Sequence, residues 1–444
     1  MLFVELFQMI DKNILLLQGP MGPFFQRFAR ELEQKNMKVV KVNFNAGDWF
    51  FFRKGKNYKG SYDGWVDYLD NLVEQEKINK VFLFGDERPY HKEAITKVFS
   101  PRNVDVYVFE EGYLRPSFIT VEKSGVNGNS QMPKDASYYR NNLFALSNAE
   151  LDRPAIKWQF FMSMLFSVVY GLAKFIGGVS YKHYQHHRCL NPLKQGGLWL
   201  WGWLFKKPYY HFSEKKHHKK LLKNYNKNYF FVPLQVHNDF QISHSKYKDV
   251  KEFIEETVVS FASYASKTSA LVFKHHPMDR PYRNYKKFLQ KLERQYHLEG
   301  RIFYLHDQHL PTLLCSARAT IVINSTVGLS SLYHSVPVLV RGMAVYDVAG
   351  LTSQSSLDAF WQAQEEVDVE LYKKYRLYLL NINQGHGSFY QKGRRNSPTG
   401  VYWPPYMDIC RVGGKSETES ESNTLFSQNL TESSAAQIVG SSPD

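Results

Sequence analysis

Short apolar runs alternate with helical patterns along most of the chain. The first run, Ile14–Leu17, precedes a loop rich in glycine and proline and then an apolar pattern of helical period that begins at Phe24. Val39–Val42 is the next apolar run. A strand, a helix and a strand in this order predict a parallel sheet, and the alternation returns after residue 229, so we expect an α/β protein with two halves. The further predicted strands are 80–84, 104–109, 229–234, 269–273, 302–305, 319–323 and 336–340.

Polar clusters follow two predicted strands of the second half. The strand 269–273 ends in a basic His-Pro motif, and the strand 319–323 runs into Asn-Ser-Thr before the helix 329–334. Ligands bind at the carboxyl ends of strands in open α/β sheets, and helix N-termini favour anions. Each motif alone is also typical of a turn or a helix cap, but together they predict a nucleotide phosphate pocket. The candidate residues are Lys274, His276, Pro277, Asn324, Ser325, Thr326 and Gly328, the last because glycine permits close approach.

The first half carries similar clusters at its predicted strand ends. The strands ending at Leu17, Val42, Phe84 and Phe109 are each followed by polar residues. After Phe109 come two carboxylates, Glu110 and Glu111, with Arg115 a few residues later. These groups favour either an ion pair that fixes a turn or a general acid or base that faces a cleft. The loop after Leu17 lacks the GxGxxG pattern and does not predict a dinucleotide site.

Length and composition predict how these halves are organised. The chain has 444 residues, more than one core usually supports. Its three cysteines form no CxxC pair, which argues against a disulfide framework and a zinc site. The first 13 residues lack the form of a signal peptide, so we expect a cytoplasmic protein. The predicted segments are a first α/β domain at 1–150, an insertion at 151–228, a second α/β domain at 229–412 and a disordered tail at 413–444.

The insertion carries nearly all of the net charge of +14. From Arg153 to Phe230 there are fourteen Lys and Arg and a single acid, Glu214. Large aromatic residues lie among these cations, which predicts contact with an anionic membrane surface rather than with nucleic acid. The apolar stretch Phe160–Val179 contains glycines and a lysine and favours an interfacial or docked helix over a transmembrane one. The predicted membrane contact consists of the basic run Lys206–Lys227 with Trp199, Trp201 and Trp203.

Six stretches together resemble the KpsS/LipB family of bacterial capsule polysaccharide proteins, over about residues 12–410. Each stretch is weak alone, but the ordered set is specific. They are residues 15–20 (LLLQGP), 41–49 (KVNFNAGDW), 110–116 (EEGYLRP), 310–311 (LP), 324–329 (NSTVGL) and 346–352 (YDVAGLT). The resemblance implies a GT-B-like fold with two Rossmann-like α/β domains that face a cleft.

The same resemblance implies an activity and its partners. It implies a β-Kdo transferase that moves Kdo from CMP-β-Kdo to phosphatidylglycerol and starts the poly-Kdo anchor of exported capsules. The expected location is the cytoplasmic face of the inner membrane, as a peripheral protein that works with other capsule biosynthesis and export proteins. No cofactor is implied, and since the sequence has no DxD motif we expect no metal. A non-catalytic export or scaffold protein remains the alternative.

The resemblance also implies roles for individual residues. Asp239 is the candidate nucleophile or cation stabiliser, and Glu111 is the candidate acid/base. A simple turn or helix cap is the alternative for Asp239. The cationic Lys274 and His276, with the start of the helix after Ser325, are expected to neutralise the departing CMP. The candidate acceptor-side residues are Gln18, Gly19, Asn45, Asp48 and Arg115.

Overall fold

A computed structural model describes residues 13–142, 144, 153–185, 197–198 and 201–405. Its strands are β1 (Asn13–Leu16), β2 (Lys38–Asn43), β3 (Lys56–Asn57), β4 (Lys80–Phe84), β5 (Asp105–Glu111), β6 (Phe118–Lys123), β7 (Tyr229–Pro233), β8 (Ala270–Lys274), β9 (Ile302–Leu305), β10 (Ala319–Val322), β11 (Val338–Val340) and β12 (Gln384–His386). The tail predicted at 413–444 lies outside the described residues.

Helices connect these strands in the expected alternation. They are α1 (Phe24–Glu33), α2 (Ala46–Phe51), α3 (Trp65–Gln75), α4 (Pro89–Ala94), α5 (Ala136–Asn141), α6 (Gln159–Ile176), α7 (Lys207–Ser213), α8 (Lys215–Tyr225), α9 (Val250–Tyr264), α10 (Lys286–Gln295), α11 (Leu310–Ser316), α12 (Val327–Tyr333), α13 (Leu357–Phe360) and α14 (Val369–Ile382). The insertion is therefore helical where it is described, in α6, α7 and α8.

The first half is built on a seven-stranded sheet in the order β12-β6-β5-β4-β1-β2-β3. The strands from β3 to β5 are parallel, whereas β6 pairs with β5 and β12 pairs with β6 in antiparallel fashion. The parallel strands are apolar because helices cover both faces, and Leu15, Val81 and Val108 are completely buried in one core. Their carboxyl ends meet at one edge of the sheet.

The second half is a five-stranded, wholly parallel sheet in the order β11-β10-β7-β8-β9. Alternate side chains of β7 enter two different cores, Phe230 and Val232 on one face and Phe231 on the other. This double burial explains why the strand is an unbroken apolar run. The carboxyl ends of β7, β8 and β10 carry the polar motifs of the second half.

The chain returns to the first half near its end. Gln384–His386 pairs with Phe118–Lys123 at the edge of the first sheet, so residues of the predicted 229–412 segment complete the fold of the other half. A shared apolar cluster also joins the halves, with Tyr139 packing on Tyr375 at a ring distance of 5.0 Å. Two Rossmann-like halves therefore form one compact unit, and the expected GT-B-like fold with a helical insertion is confirmed.

Candidate active site

The strand ends of the two halves face each other. His244, just after β7, lies 3.5 Å from the Glu87 carboxylate after β4, measured from Nε2 to Oε1. The ring of His244 also lies against Gly128 of the first half, where an added Cβ would come within 2.3 Å of it. The loops that follow β4 and β7 therefore meet at the cleft between the halves, and the charges of Asp239 and Arg115 act across it on Glu110 and His276.

Glu110 is the carboxylate that the first half presents toward Asp239. Burial raises the pKa of Glu110 to about 7, and the negative charges of Glu111 and Asp239 add to the rise, whereas Arg88 opposes it. A backbone N–H from Glu111 donates to this carboxylate at 2.9 Å. A carboxyl with such a pKa exchanges protons readily near neutral pH.

Glu111 lies on the other side of the strand, because successive side chains of a β-strand point to opposite faces. The hydroxyl of Tyr390 donates a hydrogen bond to Glu111 Oε1 at 2.7 Å. The Glu111 carboxylate is thus engaged near the chain's return to the first sheet. The acid/base role expected for Glu111 remains a prediction, and Glu110 is the member of the pair that interacts with Asp239.

Asp239 is held by both of its carboxylate oxygens. Oδ1 accepts the backbone N–H of Gln241 at 3.0 Å and caps the short helix Phe240–His244, so the cap anticipated as an alternative is present. Oδ2 accepts a hydrogen bond from Gln235 at 3.2 Å. The same Gln235 amide donates to Asn324 Oδ1 at 2.9 Å. Asn324 therefore braces the Asp239 loop, and the Asp239 side chain is partly exposed.

His276 is a neutral imidazole beside two cations. Burial lowers the pKa of His276 to about 4, and the charges of Lys274 and Arg115 lower it further. Its Nδ1 accepts the N–H of Met278 at 3.2 Å, so Nε2 carries the proton and is a donor. Lys274 donates to the carbonyl of His306 at 3.3 Å. Positive charge at this edge thus comes from Lys274 and Arg115 rather than from His276.

The His-Pro turn is braced from within the second half. Pro277 begins the short helix Pro277–Asp279 and is itself exposed. The completely buried Asp279 accepts the backbone N–H of His237 at 3.2 Å and also bonds the His237 ring. Burial raises the pKa of Asp279, while the His237 contacts oppose the rise. The turn is therefore fixed to the loop that carries Asp239.

The segment after β10 satisfies part of its own hydrogen-bonding capacity. Thr326 is the N-cap residue of α12 and makes no side-chain cap bond, whereas Ser325 Oγ accepts the N–H of Val327 at 3.3 Å. A Cβ on Gly328 would lie 2.2 Å from the hydroxyl of Tyr346. The close approach at Gly328 is therefore that of Tyr346, and the side chains of Ser325 and Thr326 are partly exposed.

Three of the candidate acceptor-side residues form a buried network that we name the latch: Gln18, Asn45 and Asp48 with Tyr170 of α6. The Tyr170 hydroxyl donates to Asp48 Oδ1 at 2.9 Å and accepts from the Asn45 amide at 2.7 Å. Gln18 donates to the Tyr170 hydroxyl at 3.0 Å and to Asp48 Oδ2 at 3.2 Å. The latch therefore ties the insertion to the first sheet.

Arg88 connects the latch with Glu110. Its Nη1 donates to Gln18 Oε1 at 3.1 Å and to the carbonyl of Gly19 at 3.4 Å, while its charge acts on Glu110. At Gly19 an added Cβ would lie 2.7 Å from the ring of Phe25, so the glycine is required by packing against α1. The exposed Arg115 is the one candidate acceptor-side residue that lies beside the second half.

Comparison with known proteins places the chain in a family. The family described as "Capsule polysaccharide biosynthesis protein" matches residues 79–390. The chain belongs to this family. The capsule polysaccharide export protein KpsS of Escherichia coli is 39% identical over 390 residues, covering 85% of this chain and 97% of that protein. The capsule polysaccharide modification protein LipB of Neisseria meningitidis serogroup B is 36% identical over 391 residues, covering 86% and 92%.

A solved structure with a similar fold comes from Thermosulfurimonas dismutans. It is KpsC, described as a beta Kdo 2,7 transferase, at 14% identity and a TM-score of 0.40, covering 85% of this chain and 92% of that chain. The resemblance to the KpsS/LipB family is confirmed by the sequence identities.

In this capsule-family chain the single acid between Arg153 and Phe230 has a structural task. Glu214 is buried, and its carboxylate accepts the backbone N–H of His306 at 2.9 Å and contacts His306 Nδ1 at 2.7 Å. The ring of Tyr210 stacks on that of His306 at 3.7 Å. Glu214 therefore anchors α7 and α8 at the end of β9. It does not neutralise the exposed lysines around it.

Sequence reasoning missed several residues of this cleft. Arg88 lies in the polar cluster after Phe84, and Tyr170 lies in the apolar stretch 160–179. Glu110 was not missed, since it is one of the two carboxylates expected either to fix a turn or to act as a general acid or base. The sequence signal for Tyr170 is a hydroxyl group within an apolar stretch, because the hydroxyl of a tyrosine that becomes buried needs a hydrogen-bond partner. Of the predicted tryptophan cluster, Trp199 and the side chain of Trp203 lie outside the described residues, and Trp201 is exposed.

Proposed function

We propose that this protein is a β-Kdo transferase that moves Kdo from CMP-β-Kdo to phosphatidylglycerol, with Asp239 and Glu110 as its catalytic carboxylates. Family membership supports a role in capsule polysaccharide synthesis. The observation that carries the enzymatic part is that the charge of Asp239 on one half acts on Glu110 of the other, whose pKa burial raises to about 7. Two carboxylates across a cleft suit a glycosyl transfer that retains configuration.

The donor would lie against the second half. Lys274 and Arg115 supply positive charge to the CMP phosphate, and His276 Nε2 with the hydroxyls of Ser325 and Thr326 supplies hydrogen bonds. These groups stabilise the anion that leaves, so the proposed chemistry uses neither a metal nor a cofactor. The neutral state of His276 keeps it a hydrogen-bond donor over the physiological pH range.

The reaction would proceed in two displacements. In the first, Asp239 Oδ2 bonds to the anomeric carbon of Kdo while the bond to the phosphate oxygen breaks, and the electron pair leaves with CMP. In the second, a hydroxyl of phosphatidylglycerol attacks the same carbon, the bond to Asp239 breaks, and the hydroxyl proton passes to Glu110. A pKa near 7 suits Glu110 to accept that proton and release it to water. Two inversions give net retention.

Incubation of the purified protein with CTP, Kdo, a CMP-Kdo synthetase and fluorescent phosphatidylglycerol tests this proposal. We expect the lipid to gain the mass of one Kdo and the Asp239→Ala variant to give no such product. A lipid that is unchanged with the native protein, while a known Kdo acceptor system consumes the same donor, would overturn the enzymatic proposal. The protein would then act as a non-catalytic export or scaffold component.

The proposed location is the cytoplasmic face of the inner membrane, where donor and lipid acceptor meet. The exposed lysines of α7 and α8 support attraction to anionic lipid, because each near-surface lysine contributes about 1 kcal/mol. We propose other capsule proteins as partners and no nucleic acid. Flotation with anionic vesicles in competition with duplex DNA tests this preference, and retention on DNA at moderate salt would contradict it.

A further inference from the structure

An apolar stripe runs along the outer side of α6. The structure leaves its members between 41% and 78% exposed, which is unusual for a patch of this size on a folded protein. They recur at intervals of three and four residues and so lie on one face of the helix. They are Phe161, Leu165, Val168, Leu172, Phe175, Ile176 and, just beyond the helix, Val179.

The neighbouring helix α2 extends this stripe and gives it a basic border. Trp49 and Phe50 of α2 are about 40% exposed, and the Arg53 guanidinium lies 5.4 Å from the Trp49 ring. Lys59 lies 6.0 Å from the ring of Tyr181, just after α6. Lys54 in the same loop is exposed. Aromatic side chains beside cations are typical of the membrane interface.

From this arrangement we propose that α2 and α6 form a bilayer-docking face that lies in the plane of the membrane and inserts into an anionic leaflet. The inference rests on the proposed function, since it places the cleft at the surface that holds the lipid acceptor. The charges favour lipid over a protein partner, because residues 153–213 contain no acid and the border adds only cations.

The inner side of α6 shows why the helix lies in the plane. The stretch Gln159–Tyr181 is long and apolar enough to cross a bilayer, and among the described residues it is the one helix that is. However, Phe166 packs on Phe51 at 5.6 Å, Tyr170 enters the latch, and an added Cβ on Gly177 would lie 2.2 Å from Ala46. These contacts span about 17 Å of helix at 1.5 Å per residue.

That length is more than half of the roughly 30 Å hydrocarbon core. A spanning helix would therefore carry part of the polar α/β half, including the region of Asp48, into the lipid. Each polar group left there without a hydrogen-bond partner would cost several kcal/mol. An in-plane helix avoids this cost, because only its outer stripe enters the leaflet. The latch residues Gln18, Asn45 and Asp48 then hold the docking helix next to Arg88 and the cleft.

Vesicle flotation of the full-length protein tests the docking face. We expect Val168→Glu with Leu172→Glu to lower the partition onto vesicles of phosphatidylcholine and phosphatidylglycerol by about tenfold or more. The matched control is Val369→Glu with Met343→Glu, two apolar residues of similar or greater exposure elsewhere, which should float like the native protein. Arg53→Gln with Lys54→Gln should weaken flotation at low salt only.

Equal flotation of the stripe variant and its control would overturn the proposal. The proposal would also be overturned if flotation were lost only in the variant in which Lys215, Lys216, Lys219 and Lys220 are changed to Gln. CMP binding by calorimetry should be unchanged in every docking variant, so a loss of flotation is separable from a failure of the donor site. If native protein docks but does not transfer Kdo, the docking face stands and the proposed reaction falls.

Labelling distinguishes an in-plane helix from a spanning one. With the native cysteines changed to Ser, Lys157→Cys and Lys182→Cys place a thiol near each end of α6, at exposed positions. An impermeant thiol reagent added outside intact vesicles should label both variants equally. If one end is labelled only after detergent is added, α6 crosses the membrane and the in-plane assignment is wrong.

Discussion

The strand-end edges of the two halves look alike in sequence but differ in what their polar residues do. In the first half, Gln18, Asn45 and Asp48 are at most 7% exposed and hydrogen-bonded to a helix that follows far along the chain. In the second half, Lys274 and His276 stay partly accessible beside the cleft. One edge is a structural latch, and the other, which we call the open edge, keeps side chains that solvent can reach.

This difference teaches that a polar cluster after a strand does not by itself identify a ligand site. Partners decide the outcome, because a buried polar group must be hydrogen-bonded wherever its partner comes from. The insertion supplies Tyr170 to the first edge and closes it. Glu110 is the exception on that edge, since it lies beyond the latch and interacts with Asp239 of the other half.

The largest effect should come from the pair that crosses the cleft. We expect Glu110→Gln to lower turnover by about 10²- to 10⁴-fold with little loss of stability, since a general acid–base group contributes that much to rate. Asp239→Asn should lower turnover at least as much, because it removes the proposed nucleophile. Kdo transfer to fluorescent phosphatidylglycerol measures it. Glu111→Gln is the matched control and should retain most activity. If Glu111→Gln is the more damaging change, the role proposed for Glu110 belongs to Glu111.

The latch should affect stability rather than donor binding. Asp48→Ala removes a buried acceptor of the Tyr170 hydroxyl and of the backbone N–H of Phe44, so we expect it to cost about 3 kcal/mol of the free energy of unfolding. Urea denaturation measures this cost, with Asp63→Ala as an exposed control. If the Asp48→Ala variant keeps native stability but no longer transfers Kdo to phosphatidylglycerol, Asp48 binds the acceptor instead.

The open edge should affect donor binding rather than stability. His276→Ala and Ser325→Ala each remove a proposed bond to an ionised phosphate, which contributes about 1.5–3 kcal/mol, or roughly ten- to a hundredfold in the Kd for CMP. Calorimetric titration measures it, and Gln18→Ala serves as the comparison from the closed edge. If CMP affinity falls only in the Gln18→Ala variant, the donor binds at the edge of the first half rather than at that of the second.

The smallest effect concerns pH. Because the pKa of Glu110 rises from its ordinary 4.5 to about 7 on folding, the folded protein holds this proton between those values while the unfolded chain releases it. Stability should therefore fall as pH rises from 4.5 to 7, by about 1 kcal/mol for a partly shielded group. Urea denaturation at pH 5 and pH 7 should show a smaller difference in Glu110→Gln than in native protein. If the stability difference between pH 5 and pH 7 is the same in both proteins, the Glu110 carboxylate is solvated in the folded state.

Local pattern alone determined much of the fold. Lys80–Phe84 and Ile302–Leu305 were predicted residue for residue, because each contains a short apolar run that contributes buried side chains to a core. The predicted helix 329–334 is observed at Val327–Tyr333, and the predicted strand 336–340 begins at Val338. Gln384–His386 was missed because three residues that include a glycine carry no strand signal, and its pairing with β6 is a contact between distant segments.

For the site, the sequence determined which strand ends carry polar groups, and the tertiary structure decided what each group does. Glu110 and Glu111 are chemically identical neighbours, and only the alternation of β5 within a packed sheet turns one toward Asp239 and the other toward Tyr390. Asp48 and Tyr170 are 122 residues apart, so no local pattern indicates that they bond. Burial and pKa depend on neighbours brought together by folding, and residue type together with order in the chain does not specify those neighbours.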